Sequence, residues 1–316
     1  MEARKLASGA LVDQTGIWDI HIDRYHEQCC DGPSISSGGL RTIWSKSPAH
    51  FWFSSHLNPN RVAPPEKPEF ALGRLAHKLL IEGRDGFSDE YVVRPDQWSD
   101  WRTRDAREWR DRAVGAGLTV ITRADLEAVE GMAASLAAHP LVKAGILDGV
   151  VEKSLIYRCE ETSVWLKSRP DVIPNASGDL VDLKTCQSVA TDDLRRSMGD
   201  YGYQMQAALA AAALKAAAGI EFESFTFVWV EKAPPYCVRV TTMTAEDLLR
   251  GDMQNKAATR IFAECLRTGR WPGPGGDQQD AEFLPISPWA AKSIDERLEL
   301  LKAEATEPQP FPHAAE

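Results

Sequence analysis

Two aspartates and a lysine stand around one short turn, in the stretch Ser168-Arg-Pro-Asp171-Val-Ile-Pro-Asn-Ala-Ser-Gly178-Asp-Leu-Val-Asp182-Leu-Lys184-Thr185. Asn175 to Gly178 is turn chemistry between two β-prone runs, which predicts a β-hairpin. With the turn centred between Ala176 and Ser177, Asp171 lies opposite Asp182, and Arg169 opposite Lys184. Side chains alternate along a strand, so these four share one face. Leu166, Val172, Val181 and Leu183 then take the apolar face. Like charges placed opposite one another in an antiparallel pair are destabilising. Two facing carboxylates therefore call for a cation between them, and hard divalent ions take oxygen ligands. A lysine two residues after the second carboxylate can stabilise charge on a phosphate or help activate water. Metal, lysine and carboxylates together suit phosphodiester hydrolysis. A solvated hairpin face with diagonal Asp–Arg and Asp–Lys contacts accounts for the same spacing.

Three further residues are candidates for the same site. If the turn after Tyr157 is centred on Glu160-Glu161, Glu152 falls opposite Arg169, on the face of the carboxylates; an exposed edge-strand glutamate is the plain alternative. His77 lies at the margin of an apolar helical stripe, one turn after Gly73. A neutral imidazole is a good metal ligand, and the missing side chain at Gly73 leaves room for a substrate or ion. Gln206 has an amide that both donates and accepts, suited to holding water or phosphate; an ordinary helix former reads the same way. The stretch Arg94–Arg112 interleaves six arginines with Trp98, Trp101 and Trp109. Such a mixture can bind phosphates and stack on bases. It also holds five acidic residues at salt-bridging spacings, which fits a solvated helix face equally well.

The elements that must position these residues are legible in outline. Pro48 after Ser47 marks a helix start. Phe70–Gly83 is an amphipathic helix with apolar residues at 72, 75, 76, 79 and 80. Tyr91–Val93 is a strand, and Trp101–Ala113 and Arg123–Ala138 are helices. A β-region follows at Val150–Tyr157, Val164–Ile173 and Leu180–Cys186. Helices at Asp192–Met198 and Tyr201–Ala218 come next, the latter rich in alanine and suited to close packing on a sheet. Phe225–Glu231 and Tyr236–Thr242 are strands, and Ala245–Thr268 is a long helix. Residues 1–38 read as an irregular lead-in, 39–302 as one α/β domain, and the Glu-, Pro- and Ala-rich 303–316 as a mobile tail.

Composition sets the outer bounds. A hydrophobic content of 43% and a charged content of 26% are those of an ordinary soluble globular chain. There is no apolar run long enough for a membrane span and no signal-peptide core, so a cytoplasmic protein without membrane contact is expected. The six cysteines are scattered, without the clustered spacing of an iron–sulfur or zinc site. A net charge of −10 opposes binding to a polyanion unless basic groups are concentrated locally. No phosphate loop or dinucleotide fingerprint is present.

Arg169-Pro-Asp171, Asp182-Leu-Lys184-Thr185 and Tyr201-Gly-Tyr-Gln-Met-Gln206 together resemble the PD-(D/E)XK nuclease superfamily, most closely the RecE-like (exonuclease VIII-type) nuclease domain. Trp44-Ser-Lys-Ser-Pro-Ala-His50, Leu72-Gly-Arg-Leu-Ala-His77, Thr119–Thr122, Trp271-Pro and Pro288-Trp-Ala extend the resemblance over about residues 40–292. It implies a restriction-endonuclease-like core, with a mixed central β-sheet flanked by helices. His77, Asp171, Asp182 and the backbone carbonyl of Leu183 are then the expected ligands of Mg²⁺, with Mn²⁺ able to substitute. Lys184 assists the water nucleophile, Gln206 positions water or phosphate, and Glu152 matches a family glutamate. Arg74, Arg169 and Tyr203 are the expected substrate contacts. The implied activity is digestion of double-stranded DNA ends, 5′ to 3′, leaving 3′ single strands. A ring-shaped homo-oligomer and a single-strand annealing partner of RecT type are implied with it. A non-catalytic DNA-end or partner-binding module on a nuclease fold and a structure-selective endonuclease are the alternatives.

Overall fold

The computed structural model describes residues 2–62, 68–174, 177–276 and 281–306. Among them the strands are β1 (Arg4–Lys5), β2 (Gly16–Asp19), β3 (Ser34–Ser36), β4 (Tyr91–Val93), β5 (Thr119–Ile121), β6 (Gly149–Val151), β7 (Ser154–Arg158), β8 (Trp165–Ser168), β9 (Val172–Pro174), β10 (Asp179–Cys186), β11 (Ser224–Glu231) and β12 (Val238–Thr242). The helices are α1 (Ile22–His26), α2 (Ser37–Ser45), α3 (Pro48–Ser54), α4 (Pro68–His77), α5 (Gly83–Glu90), α6 (Arg104–Gly115), α7 (Arg123–Ala138), α8 (Pro140–Lys143), α9 (Thr191–Tyr201), α10 (Tyr203–Ala218), α11 (Ala245–Thr268) and α12 (Pro288–Thr306). None of the described helices is long and apolar enough to cross a membrane. All six cysteines are free.

The strands form two five-stranded mixed sheets, ordered β1-β2-β7-β8-β3 and β12-β11-β10-β9-β6, and a separate β4-β5 pair. The mixed α/β class is as the sequence predicts, but the strands divide between sheets where a single central one was expected. Residues 1–38 are not an irregular lead-in. β2 pairs with β7, and β3 runs parallel to β8 at the far edge. These strands are too short to leave a periodic signal, and their partners lie far along the chain. Residues 1–274 make one compact unit, and 275–316 a second that carries α12. Helix α12 continues through 303–306, part of the expected tail; residues 307–316 of that tail lie outside the described set, as do Asn175 and Ala176 of the predicted turn.

The residues from β6 to β9 form one antiparallel ladder bent at its middle. Gly149 pairs with Pro174 and Val151 with Val172 in the second sheet, while Leu155 pairs with Ser168 in the first. The chain crosses between sheets twice, at Glu152-Lys153 and at Arg169-Pro170-Asp171. The expected single strand Val164–Ile173 is therefore two strands, and Val150–Tyr157 likewise. Proline, which cannot donate to a ladder, sits at one of these crossings. This break sends Leu166 to a different apolar cluster from Val172, Val181 and Leu183.

Helices α4, α7 and α10 bring side chains to the second sheet. Ser47 accepts from the His50 N–H to start α3, as its sequence predicts. Leu75 and Ala76 of α4 pack on Val172, Val181 and Leu183. The α4 helix ends at His77, and a π-helical turn, Lys78–Glu82, replaces the expected α-helical continuation. Ala207, Ala210, Ala213 and Leu214 of α10 bury against Leu180, Phe225 and Phe227 from the sheet, so the alanine run does serve close packing. Helix α11 crosses α10 at Gly251, where a Cβ would lie 2.1 Å from the Gln204 carbonyl oxygen. We predict that Gly251→Ala destabilises the protein by about 1–3 kcal/mol through overpacking. Chemical denaturation measures this, and an unchanged midpoint would contradict it.

Candidate active site

Asp171 lies at the crossing from the first sheet to the second, immediately before β9. Val172 pairs with Val181, which is the register predicted from the turn. Asp171 is 8% exposed and Asp182 only 1%. A charge this deeply buried requires partners. Asp171 Oδ2 accepts from the Leu183 backbone N–H at 2.6 Å. Its Oδ1 lies 3.0 Å from His77 Nε2. Asp182 Oδ1 accepts from Gln206 Nε2 at 2.6 Å. Asp182 Oδ2 meets the Lys184 ammonium as an ion pair but has no aligned hydrogen bond.

Glu152 joins this group by a route the sequence does not reveal. The ladder pairs Leu155 with Ser168, two residues away from the predicted register. Glu152 thus faces Asp171, where Arg169 was expected, and its N–H donates to the Asp171 carbonyl at 3.0 Å. A shift of two keeps the same face, so the carboxylate still points to the site. Glu152 adopts φ 54°, a left-handed conformation unusual for a glutamate, at the first crossing between sheets. Its Oε1 lies 3.3 Å from His77 Nε2.

The ligand atoms of His77, Glu152 and Asp171 all fall within 4.8 Å of one another. One imidazole nitrogen and two carboxylate oxygens suit a hard divalent cation. This grouping differs from the expected ligand set. Glu152 stands with His77 and Asp171, while Asp182 is engaged by Lys184 and Gln206. Leu183 contributes its N–H to Asp171.

The electrostatics follow from burial and crowding. Burial pushes Asp171 toward neutrality, but His77, Lys184 and the Leu183 N–H outweigh it and hold the carboxyl below its usual range. Burial and the Asp171 charge push Asp182 up, against the pull of Lys184. Burial also raises Glu152 to about 7. For His77, burial works against the imidazolium, yet Asp171, Glu152 and Asp182 together raise it to about 9. Lys184 is raised as well: burial opposes its charge, and Asp182 and Asp171 prevail.

The other predicted residues divide. Gln206 lines the cavity and fixes the orientation of Asp182. Arg74 lines the same cavity, near His77. Arg169 does not face Lys184. It lies before β9, with Nε and Nη2 donating to Ser154 Oγ at 3.0 and 2.7 Å and its guanidinium 4.6 Å from the Tyr25 ring. This anchors Arg169 to the first sheet at the crossing, where it also lines the cavity with Nη1 3.8 Å from Glu152 Oε2. Tyr203 packs on Phe227 and Trp229, with the Lys184 ammonium 5.1 Å from its ring. The space at Gly73 is taken by Thr185, whose Oγ1 would lie 3.1 Å from an added Cβ, so the glycine lets α4 approach β10. In the Arg94–Arg112 stretch, Arg104 pairs with Glu108, Arg110 with Asp111, and Trp101 stacks on Trp109. That pattern fits the solvated-face reading.

A sequence profile of a PDDEXK-like domain of unknown function, DUF3799, matches residues 42–280. The chain belongs to this family. The PDDEXK-like assignment agrees with the resemblance carried by Asp171, Asp182 and Lys184. Among solved structures, the chain is similar to a protein of Eubacterium rectale described as a "putative exonuclease", at 13% identity, covering 87% of this chain and 98% of that one, with a TM-score of 0.57. At that identity the likeness shows the fold. A second structure, of the protein SSO0001, is 14% identical over 73% of this chain and 94% of the other; its TM-score of 0.30 carries no argument. No protein of curated function matches.

The raised values at His77 and Glu152 make a stability prediction for chelator-treated protein. A group whose value is raised on folding contributes stability that is complete below its unfolded value and lost as pH climbs through the folded one. For His77 the window runs from 6.5 to about 9, and for Glu152 from 4.5 to about 7. Stability should therefore fall between pH 6.5 and 9 by on the order of 1–3 kcal/mol. Denaturation curves across that range check it, with His77→Gln expected to flatten most of the slope. A flat wild-type profile would contradict the arrangement.

Proposed function

We propose that this PDDEXK-like chain is a divalent-metal-dependent exodeoxyribonuclease acting on the ends of double-stranded DNA. The observation that carries this reading is the grouping of His77, Glu152 and Asp171 beside the Asp182–Lys184–Gln206 network. His77, Glu152 and Asp171 line an open cavity of about 1050 Å³, large enough to admit a nucleic-acid strand. The resemblance to RecE-like nucleases supports the finer terms: Mg²⁺ as the natural ion, 5′-to-3′ polarity, a 3′ single-stranded product, a RecT-type annealing partner, a ring-shaped assembly and a cytoplasmic setting.

In this reading His77, Glu152 and Asp171 would hold the ion, and Asp182 stands in the adjoining network with Lys184 and Gln206. When bound, such an ion supplies Lewis acidity and neutralises charge that develops on the phosphate. Lys184, held protonated by the two aspartates, donates to a non-bridging phosphate oxygen or to the attacking water. Its raised pKa makes it a fixed cation rather than a base. Gln206 is a positioning residue that sets the Asp182 carboxylate, which in turn directs Lys184. Asp171 sets the Leu183 backbone, and so the spacing between the two aspartates. The acidic net charge leaves attraction of DNA to local groups, of which Arg74 and Arg41 line the cavity.

On linear duplex DNA with Mg²⁺, Asp182→Ala and Lys184→Ala should each lower turnover by about 10²–10³-fold. Undiminished degradation by either variant would remove that residue from the mechanism. Covalently closed circles should resist cleavage, and label should leave a 5′-labelled end before a 3′-labelled one. Release in the opposite order would reverse the polarity, and cutting of circles would make the enzyme an endonuclease. Tight DNA binding with no cleavage in any divalent metal would favour a non-catalytic end-binding module.

A further inference from the structure

We infer that Tyr201 is a base-stacking platform for the substrate strand next to Lys184; this rests on the nuclease reading above. Tyr201 is 53% exposed, whereas Tyr203 is half-buried against Phe227 and Trp229. The two tyrosine rings stack on each other, with centroids 5.6 Å apart and planes 28° from parallel. Tyr203 in turn carries the Lys184 ammonium at 5.1 Å. The aromatic ladder therefore runs outward from Lys184 to a ring with an open face.

The backbone is built to hold this arrangement. Residues two apart on a continuous helix do not face each other. Tyr201 and Tyr203 can stack only because Gly202, at φ 63°, breaks the chain between α9 and α10 in the left-handed region. Arg41 of α2 donates from Nη1 to the Tyr201 carbonyl at 2.7 Å, tying the break in place. Arg41 also lines the cavity that holds His77 and Gln206, so its bond to the Tyr201 carbonyl links the break to a side chain of that cavity's wall. The ammonium lies 5.1 Å from the Tyr203 centroid and that centroid 5.6 Å from the outer ring, so Tyr201 is no farther from Lys184 than these two steps together, within the span of neighbouring nucleotides. A phosphate engaged by Lys184 thus places a base where Tyr201 can receive it. Every base offers a π-face, so the contact tolerates any sequence.

The test uses full-length protein and duplex DNA carrying 2-aminopurine at successive positions near one end. Wild type should quench the probe at one position. Tyr201→Ala should lose that quenching and raise KM about tenfold, with kcat largely kept and the melting temperature unchanged. Tyr201→Phe and Tyr201→Trp should restore both, which a purely structural role for the hydroxyl would not. Unchanged KM and quenching in Tyr201→Ala, in a preparation whose wild type digests DNA, would overturn the platform and leave the nuclease reading standing. Quenching lost in Tyr201→Ala, in a protein that never cleaves, would support the platform and overturn the nuclease reading. A wild type that neither quenches nor cleaves would overturn both.

Discussion

A carboxylate buried as deeply as that of Asp171 is stable only if every lone pair it presents finds a donor or a cation. That requirement organises the molecule around it. One oxygen takes the Leu183 N–H and the other faces His77. The first contact fixes β9 against β10, and the second fixes the end of α4 against the crossing between sheets. Glu152 is drawn in as the residue opposite Asp171 on the bent ladder. Removing one partner from such a group leaves an uncompensated charge, which costs far more than a surface ion pair contributes.

The crossing itself is held from the other side. Arg169 is anchored on Ser154 and Tyr25, and Lys167, only 2% exposed, donates to the carbonyls of Tyr25 and Glu27 at 2.6 and 2.9 Å. Two buried cations thus bind the N-terminal segment to the strand that delivers Asp171. The first sheet acts as scaffold and the second as bearer of the chemistry. The acidic and basic groups of the site then sit at a junction that neither sheet could make alone.

The chemistry-bearing residues were legible because their types are costly to place by chance. Facing aspartates next to a lysine make sense around a cation, and the turn symmetry fixed the pairing of Val172 with Val181. Helices α7 and α11 were legible to their ends through caps and periodicity. The crossing between sheets was not, because alternation continues through Trp165, Lys167 and Arg169 as though one strand ran on. What diverts that strand is a set of hydrogen bonds to residues some 140–150 positions earlier. The register of Glu152 was missed by two residues because the turn near Ser163, at φ 60°, is not centred on the paired glutamates. Which of Tyr201 and Tyr203 is buried was not legible either, because the left-handed Gly202 between them decides it.

The central claim is that His77, Glu152 and Asp171 converge to hold a divalent ion beside Lys184. Anomalous diffraction from crystals soaked in Mn²⁺ tests it directly. The account predicts a single strong peak within coordinating reach of His77 Nε2, Glu152 and Asp171. A peak elsewhere, or none at this junction at saturating metal, would contradict it.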